Sequence, residues 1–404
     1  MTTPYGSLLT RDHVSWDWVP RYTVPQTQNP LVVWLFSSEV PPHPRGGLGR
    51  HVDRLARYLV HRGHQVRMVA PFPDLGVSSP YSNVSQPEDH LPYAVWDVKD
   101  LPNTPSDFAR ESVVHVHDPT LWPVAKDFSE RHKIPLVMTW HMLYGAWARA
   151  LFMAPDAQFM KHEQMVIRES PHQIWVSHYL LDQAQLLYGP LARGTRHSVI
   201  GSGISFPSIN GAHLPKGFPD ILFIGRLEPE KGIDWLFEVL SGLMASEPPL
   251  QIVICGNGSW RTRIHQEIQD HGWQHQLHAV GMIGDEELNQ YLMTAKMAVL
   301  PSRFEPFGLS ALEAMSAGVA TILGPAPGFR EFAIPNQNCL VVKSPDELSR
   351  AIQHLLHNPQ QRQQLAESAE TLANPWHWSR IGAEIEREYY RTLECGKRSQ
   401  TEEV

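Results

Sequence analysis

The chain has 404 residues, of which 42% are hydrophobic, more than one core usually holds, so two domains are expected. A net charge of -8 and an isoelectric point near 6.3 argue against a polyanion-binding protein, leaving open only a local basic patch at a membrane surface. Three cysteines, Cys255, Cys339 and Cys395, argue against a disulfide scaffold. No stretch nears the roughly 18 to 20 apolar residues of a spanning helix, and residues 1–30 lack an apolar signal core, so the sequence reads as cytoplasmic.

Residues 31–36 (LVVWLF) form a continuous apolar run, as in a strand buried on both faces of a parallel sheet. A loop rich in Pro and Gly follows, residues 41–49 (PPHPRGGLG). Residues 51–61 read as an amphipathic helix with Val52, Leu55, Leu59 and Val60 on one face, ended by Gly63. The next strand is 65–70 (QVRMVA), which completes a βαβ unit. Further strands are expected at 113–117, 136–139, 174–176 and 198–200.

Residues 206–219 carry several Pro and Gly without periodicity and are expected to be a linker. A second series follows, with strands at 221–224, 251–255, 278–280, 297–300 and 319–322 and helices at 234–245 and 311–317. The fold class is therefore α/β, with two Rossmann-like, doubly wound parallel-sheet domains, 1–205 and 220–375, facing a cleft. Ligands in such sheets bind outside the carboxyl ends of the strands, so the cleft is the expected site. Residues 376–395 read as a last helix with an apolar stripe, and 396–404 as a frayed polar tail.

Four segments carry chemistry. Gly46, Gly47 and Gly49 lie where a strand gives way to a helix, and such glycines either let backbone approach an anion or make a tight turn. Arg226 and Lys231, within GRLEPEKG, are two cations on a strand-to-helix loop where phosphates gather, or else solvated charges. In EPFGLSALEAM, Glu305 lies in a loop and Glu313 just inside a helix, where a carboxylate can accept both hydroxyls of a ribose. The amides near Gly308 and Leu309 suit a diphosphate. Glu313 among apolar neighbours otherwise lacks a reason to be there. His141 ends a strand facing the cleft and is read equally as structural or functional.

Gly256 belongs to a Gly-Asn-Gly turn after strand 251–255, and Arg261 at the sixth position weakens a dinucleotide fingerprint. The sequence has no Asp-x-Asp, no P-loop and no G-x-S-x-G elbow, and no Cys or His spacing suggests a zinc site. No metal is therefore expected.

GGLG, GRLEPEKG and the E-x7-E of EPFGLSALEAMSAGVA, in this order, resemble the family 4 retaining glycosyltransferases of the GT-B fold over roughly residues 31 to 392. The resemblance implies that Arg226 and Lys231 hold a donor diphosphate and Glu313 the ribose. It implies that Glu305, with the amides of Phe307, Gly308 and Leu309, holds sugar hydroxyls and phosphates. Gly46, Gly47 and Gly49 would border phosphate and acceptor, His141 would contact the donor sugar near its 6-hydroxyl, and Met282 and Ile283 would line the base. The last helix would cross back onto the first lobe. Family members usually carry Asn-Gly-(Ile/Val)-Asp where this chain has Ser202-Gly203-Ile204-Ser205, which removes polar contacts near the hinge. Arg45 and Phe307 lean away from the bacterial glycogen synthases of the neighbouring family. His115-Val116-His117-Asp118 and Thr139-Trp140-His141 are similar to stretches of glucan-building members, so glucose is the expected sugar.

The expected reaction is net retention by front-face attack, with a UDP-, ADP- or GDP-sugar as substrate rather than cofactor. The acceptor is a glucan, a small molecule or a lipid-linked group, read by loops 40–45 and 143–156. Trp140, Tyr144 and Trp147 either stack on a sugar ring or pack. No nucleic acid is expected as partner. Alternatives are an epimerase or phosphorylase on the same fold, and a catalytically silent subunit.

Overall fold

The computed structural model describes residues 26–40, 46–71, 92–101, 111–205, 218–247 and 249–402. Most of the expected linker, and residues 41–45 of the expected acceptor loop, lie outside the described residues. Two parallel sheets organise the chain, as the alternating strand and helix patterns predict.

The first sheet contains β1 (Val32–Phe36), β2 (Gln65–Ala70), β3 (Ala94–Asp97), β4 (Ser112–Val116), β5 (Leu136–Trp140), β6 (His172–Trp175) and β7 (Arg196–Val199), in the order β3-β2-β1-β4-β5-β6-β7. The second contains β8 (Ile221–Ile224), β9 (Ile252–Cys255), β10 (Leu277–Gly281), β11 (Met297–Leu300), β12 (Ala320–Leu323) and β13 (Leu340–Val341), in the order β10-β9-β8-β11-β12-β13. Each sheet reverses strand order beside its first strand, which opens a crevice at the carboxyl ends there.

Period-two burial explains the apolar runs. Val32, Trp34 and Phe36 of β1 enter one core, while Leu31, Val33 and Leu35 enter the core on the opposite face. In β8, Ile221 and Phe223 go one way and Leu222 and Ile224 the other. Phe307, Leu312 and Leu300 of the second lobe share one continuous apolar cluster with Trp34 and Phe36 of the first.

Helices α1 (Gly47–His61), α2 (Trp122–His132), α3 (Tyr144–Ala150), α4 (Ala157–Glu169) and α5 (His178–Tyr188) belong to the first lobe. Helices α6 (Ile233–Ser246), α7 (Arg261–Asp270), α8 (Asp285–Thr294), α9 (Leu309–Ser316), α10 (Pro345–His357) and α11 (Pro359–Ala373) belong to the second. Helix α12 (Trp378–Glu402) follows a 3-10 turn, Asn374–Trp376. No helix among the described residues is long and apolar enough to cross a membrane.

Three elements depart from expectation. Strand β3 pairs only with β2 at the sheet edge, and its residues, exposed or half-buried except for the polar Asp97, give no apolar run to read. Strand β13 has only two residues. Helix α12 continues to Glu402, through the segment read as a frayed tail, because Lys, Arg, Gln and Glu there are good helix formers and no proline stops them.

Helix α12 packs on the first lobe. Trp378, Ile381, Ile385 and Tyr389 enter the core that holds Val33 and Leu35. Glu386 is buried and accepts from Arg62 Nε (2.8 Å), Arg62 Nη2 (3.0 Å), His64 Nε2 (3.2 Å) and Tyr58 Oη (3.3 Å). The crossing is backbone to backbone, with Ile204 N donating to Trp376 O (2.9 Å) and Trp378 N to Ile204 O (3.1 Å).

Candidate active site

The loop after β8 carries Arg226 and Lys231. Arg226 is half-exposed and pairs with Glu230, Nη2 to Oε1 2.8 Å. Lys231 closes the turn Pro229–Lys231, and its Nζ lies 2.8 Å from Glu305 Oε1, on the loop after β11. Arg303 N donates to Glu230 O (2.8 Å), which ties the two loops together and explains how Lys231 meets Glu305. Gly232 follows with φ 76°, and a Cβ there would lie 2.2 Å from Pro301 O, so only glycine permits this approach. Ser302 Oγ also donates to Glu305 Oε1 (3.2 Å).

Gly308 stands before α9 at φ 106° and Leu309 begins the helix. The first amides of such a helix have no partner within it. The Phe307 side chain is core, packed edge-on against Phe332 and Trp376, so only its backbone is available to a ligand. Ser177 Oγ of the first lobe donates to Pro306 O (2.6 Å), which braces this loop from across the cleft. Gly46 precedes α1, with Gly47 and Gly49 in its first turn. A Cβ on Gly47 would lie 3.9 Å from the Leu309 side chain, so the glycine loop and the start of α9 face each other. Gly49 N donates to Glu39 Oε2 (3.1 Å).

Gly256 closes β9 so tightly that a Cβ would lie 1.8 Å from Gly225 O. Its N donates to Gly281 O (2.8 Å), which sets Met282 and Ile283 at the neighbouring strand end, Met282 exposed and Ile283 half-buried. These residues all lie at carboxyl ends of the second sheet.

Glu313 has partners that the sequence reading missed. Arg50 donates to it from Nη1 (2.9 Å to Oε2), and Arg50 Nη2 and Arg54 Nη1 lie 2.9 and 2.7 Å from Oε1. Both arginines belong to α1 of the opposite lobe. They also pair with Asp285, at 3.3 Å each. Burial opposes the charge of Arg54, but Glu313 and Asp285 outweigh it and raise its pKa. The buried carboxylate is thus justified without a ligand. The signal was present: Arg50 and Arg54 are one turn apart just after the glycines, but their partners lie far along the chain.

His141 sits just past β5, in a group of three. His117 Nδ1 and His141 Nε2 are 3.0 Å apart, and His51 of α1 stands against His141 with ring centroids 4.6 Å apart. Ser202 Oγ lies 3.2 Å from His51 Nδ1, so this position keeps a polar contact despite losing the family's Asn. Burial, then the neighbouring imidazoles, hold His51 and His117 well below the ordinary histidine value, and burial pushes His141 down to about 3. His115 is a separate support, bonded to Tyr389 Oη of α12 and Thr139 Oγ1, 2.7 Å each. The expectation that no histidine spacing suggests a metal site holds for the linear sequence only, since α1, β4 and β5 bring together residues far apart in the chain.

The choice left open for the aromatics is decided for Trp140. It is fully buried, stacked on Trp175 (5.3 Å, 11°), and donates to Gln173 Oε1 (3.2 Å), so it packs. Tyr144 packs on Trp147 and Phe159, at 5.8 and 5.0 Å. A cavity of about 590 Å³ lies elsewhere, lined by Asn336, Gln337 and the α10–α11 corner, and none of the expected site residues lines it.

The family described as Glycosyltransferase Family 4 matches residues 45–206, and Glycosyl transferases group 1 matches 208–372. The chain belongs to glycosyltransferase family 4. Among relatives, a glycogen synthase of Mycobacterium tuberculosis is 28% identical over 396 residues, covering 88% of this chain and 94% of that protein. Among solved structures, sucrose-phosphate synthase from Thermosynechococcus elongatus matches with a TM-score of 0.74 at 20% identity, covering 90% of this chain and 100% of the other. Anabaena HepE in complex with UDP and glucose matches at 0.67 and 16% identity, covering 89% and 100%. The two facing sheets are thus a GT-B fold, and the function of this glycosyltransferase is glycosyl transfer. Its nucleotide-sugar donor follows from the family.

Proposed function

We propose that this glycosyltransferase moves a hexose, glucose by preference, from a nucleotide-sugar to an acceptor hydroxyl with retention and without a metal in the transfer step. The observation that carries this reading is the Lys231–Glu305 pair, 2.8 Å apart, beside the free amides that start α9. The relative named as a glycogen synthase, and HepE with UDP and glucose, support glucose.

In this reading the diphosphate lies between the α9 N-terminus and the cations Arg226 and Lys231. Negative charge grows on the diphosphate as the glycosidic bond breaks, and preorganised cations and amides stabilise it most in the transition state. A leaving oxygen on the same face takes the acceptor proton, which gives retention with no enzymic nucleophile. Glu305 orients the sugar hydroxyls, and His141 donates or accepts at the 6-hydroxyl as a neutral imidazole. Glu313 takes the ribose once Arg50 and Arg54 release it, and Gly46, Gly47 and Gly49 border the acceptor side.

A thermal-shift panel with UDP, ADP, GDP and their glucose forms, without metal, tests it. Ligand at a hundred times its dissociation constant adds ~2.7 kcal/mol, visible as a shift of several degrees. A shift with one base fixes the donor class, and proton NMR of the product then reads the anomer. No shift with any nucleotide favours a silent subunit. Donor turnover that needs no acceptor favours an epimerase.

A further inference from the structure

We propose that His51, His117 and His141 form a three-imidazole site for a divalent transition-metal ion of the zinc type, which shares His141 with the proposed donor site. One ring nitrogen from each lies within 4.8 Å of one from each of the others. The closest pair, His117 Nδ1 and His141 Nε2, is 3.0 Å apart. An ion bonding nitrogen at about 2.0–2.1 Å in tetrahedral geometry holds its ligand atoms roughly 3.3 Å apart, near the His117–His141 spacing, and rings that stand wider must draw inward to bind it.

A second observation points to a ligand. His51 is 2% exposed, yet its Nε2 has no hydrogen-bond partner. Buried polar atoms are nearly always satisfied, and a metal bond answers an orphaned imidazole nitrogen as well as a proton acceptor does. The contact of His51 Nδ1 with Ser202 Oγ leaves Nε2 as the ring's available atom, the arrangement by which outer partners orient metal-binding imidazoles. All three rings are held neutral, the form that binds metal. Asp118 adds negative charge beside His141.

Three protein ligands leave one position of a tetrahedral ion for water. His141 is the partly exposed member, so entry lies on its side, toward the cleft. The consequence for transfer rests on the proposed function: an ion bonded to His141 and a donor sugar reaching the same ring exclude each other.

The test uses the full chain after treatment with a chelator. One equivalent of Co2+ is expected to give the intense visible absorption of a four-coordinate site, and Zn2+ to displace it with a stoichiometry of one. In His51→Gln, His117→Gln and His141→Gln, Zn2+ affinity is expected to fall by more than roughly a hundredfold, beyond the cost of losing an outer partner. Unchanged Zn2+ binding in the triple variant, or no stoichiometric uptake by the native chain, overturns the site. If the variants do not fold, X-ray absorption on the zinc-loaded native protein decides: three imidazoles support the site and fewer refute it. These readouts measure binding directly, so failure of the transfer reading leaves them unaffected.

Discussion

Lys231 touches Glu305 at 2.8 Å, and the proposed donor diphosphate takes over that charge contact during transfer. Lys231→Ala is expected to lower turnover by around two to three orders of magnitude, as loss of a preorganised charge does. Circular dichroism and initial rates check it, and a near-normal rate removes Lys231 from the site. Glu386 sets a different kind of test. Burial works against its charge, but His64 and Arg62 outweigh that and bring its pKa to about 2. A carboxylate depressed from an unfolded value of roughly 4.3 contributes on the order of 3 kcal/mol, present above pH ~4.3 and lost as pH falls toward 2. The melting temperature of Glu386→Gln should therefore lie below the native one at pH 7, with the gap closing as pH drops below 4. A gap independent of pH would show that the charge of the glutamate is not what stabilises the fold. At this scale the sequence made Arg226, Lys231, Glu305 and Glu313 legible as candidates because they sit in local motifs. It hid Arg50, Arg54, His51 and His117 as partners, because a side chain's role there depends on what another element brings opposite.

Helix α12 depends on a crossing with no spare room. A Cβ on Gly203 would lie 2.5 Å from the Trp378 ring, and one on Gly201 would lie 2.4 Å from Trp376. Gly203→Ala is expected to cost ~1–3 kcal/mol through overpacking, read by urea unfolding. A cost near zero would mean that α12 shifts freely on the first lobe. Buried strands such as β1 and β8 were legible as apolar runs, since both of their faces pack. Strand β3 was not, because an edge strand with one partner needs no such run. Helix α12 was legible in its apolar stripe, but its length was not, since helix-forming polar residues read as tail and as helix alike.

Across the molecule, the lobes are joined by a shared apolar cluster and by the contacts of Arg50 and Arg54 with Glu313 and Asp285. Breaking a buried ion pair from one side costs ~3–5 kcal/mol when the remaining charge stays buried. The double variant R50A/R54A is expected to avoid that cost by opening the lobes and hydrating Glu313. X-ray scattering should then show a larger radius of gyration without donor. An unchanged radius would show that the apolar cluster alone holds the lobes together.

The sequence by itself determined the two-sheet α/β class and the order of the motifs, because strand burial and glycine-rich turns are written in neighbouring residues. Only the tertiary structure decided what each charge meets. It set Glu313 between two arginines of the other lobe, packed Trp140 into the core rather than against a ligand, and gathered three histidines from α1 and from just past β4 and β5. Such contacts arise where the carboxyl ends of parallel strands converge, and convergence is a property of the sheet and of the way the lobes face each other, which no local pattern records.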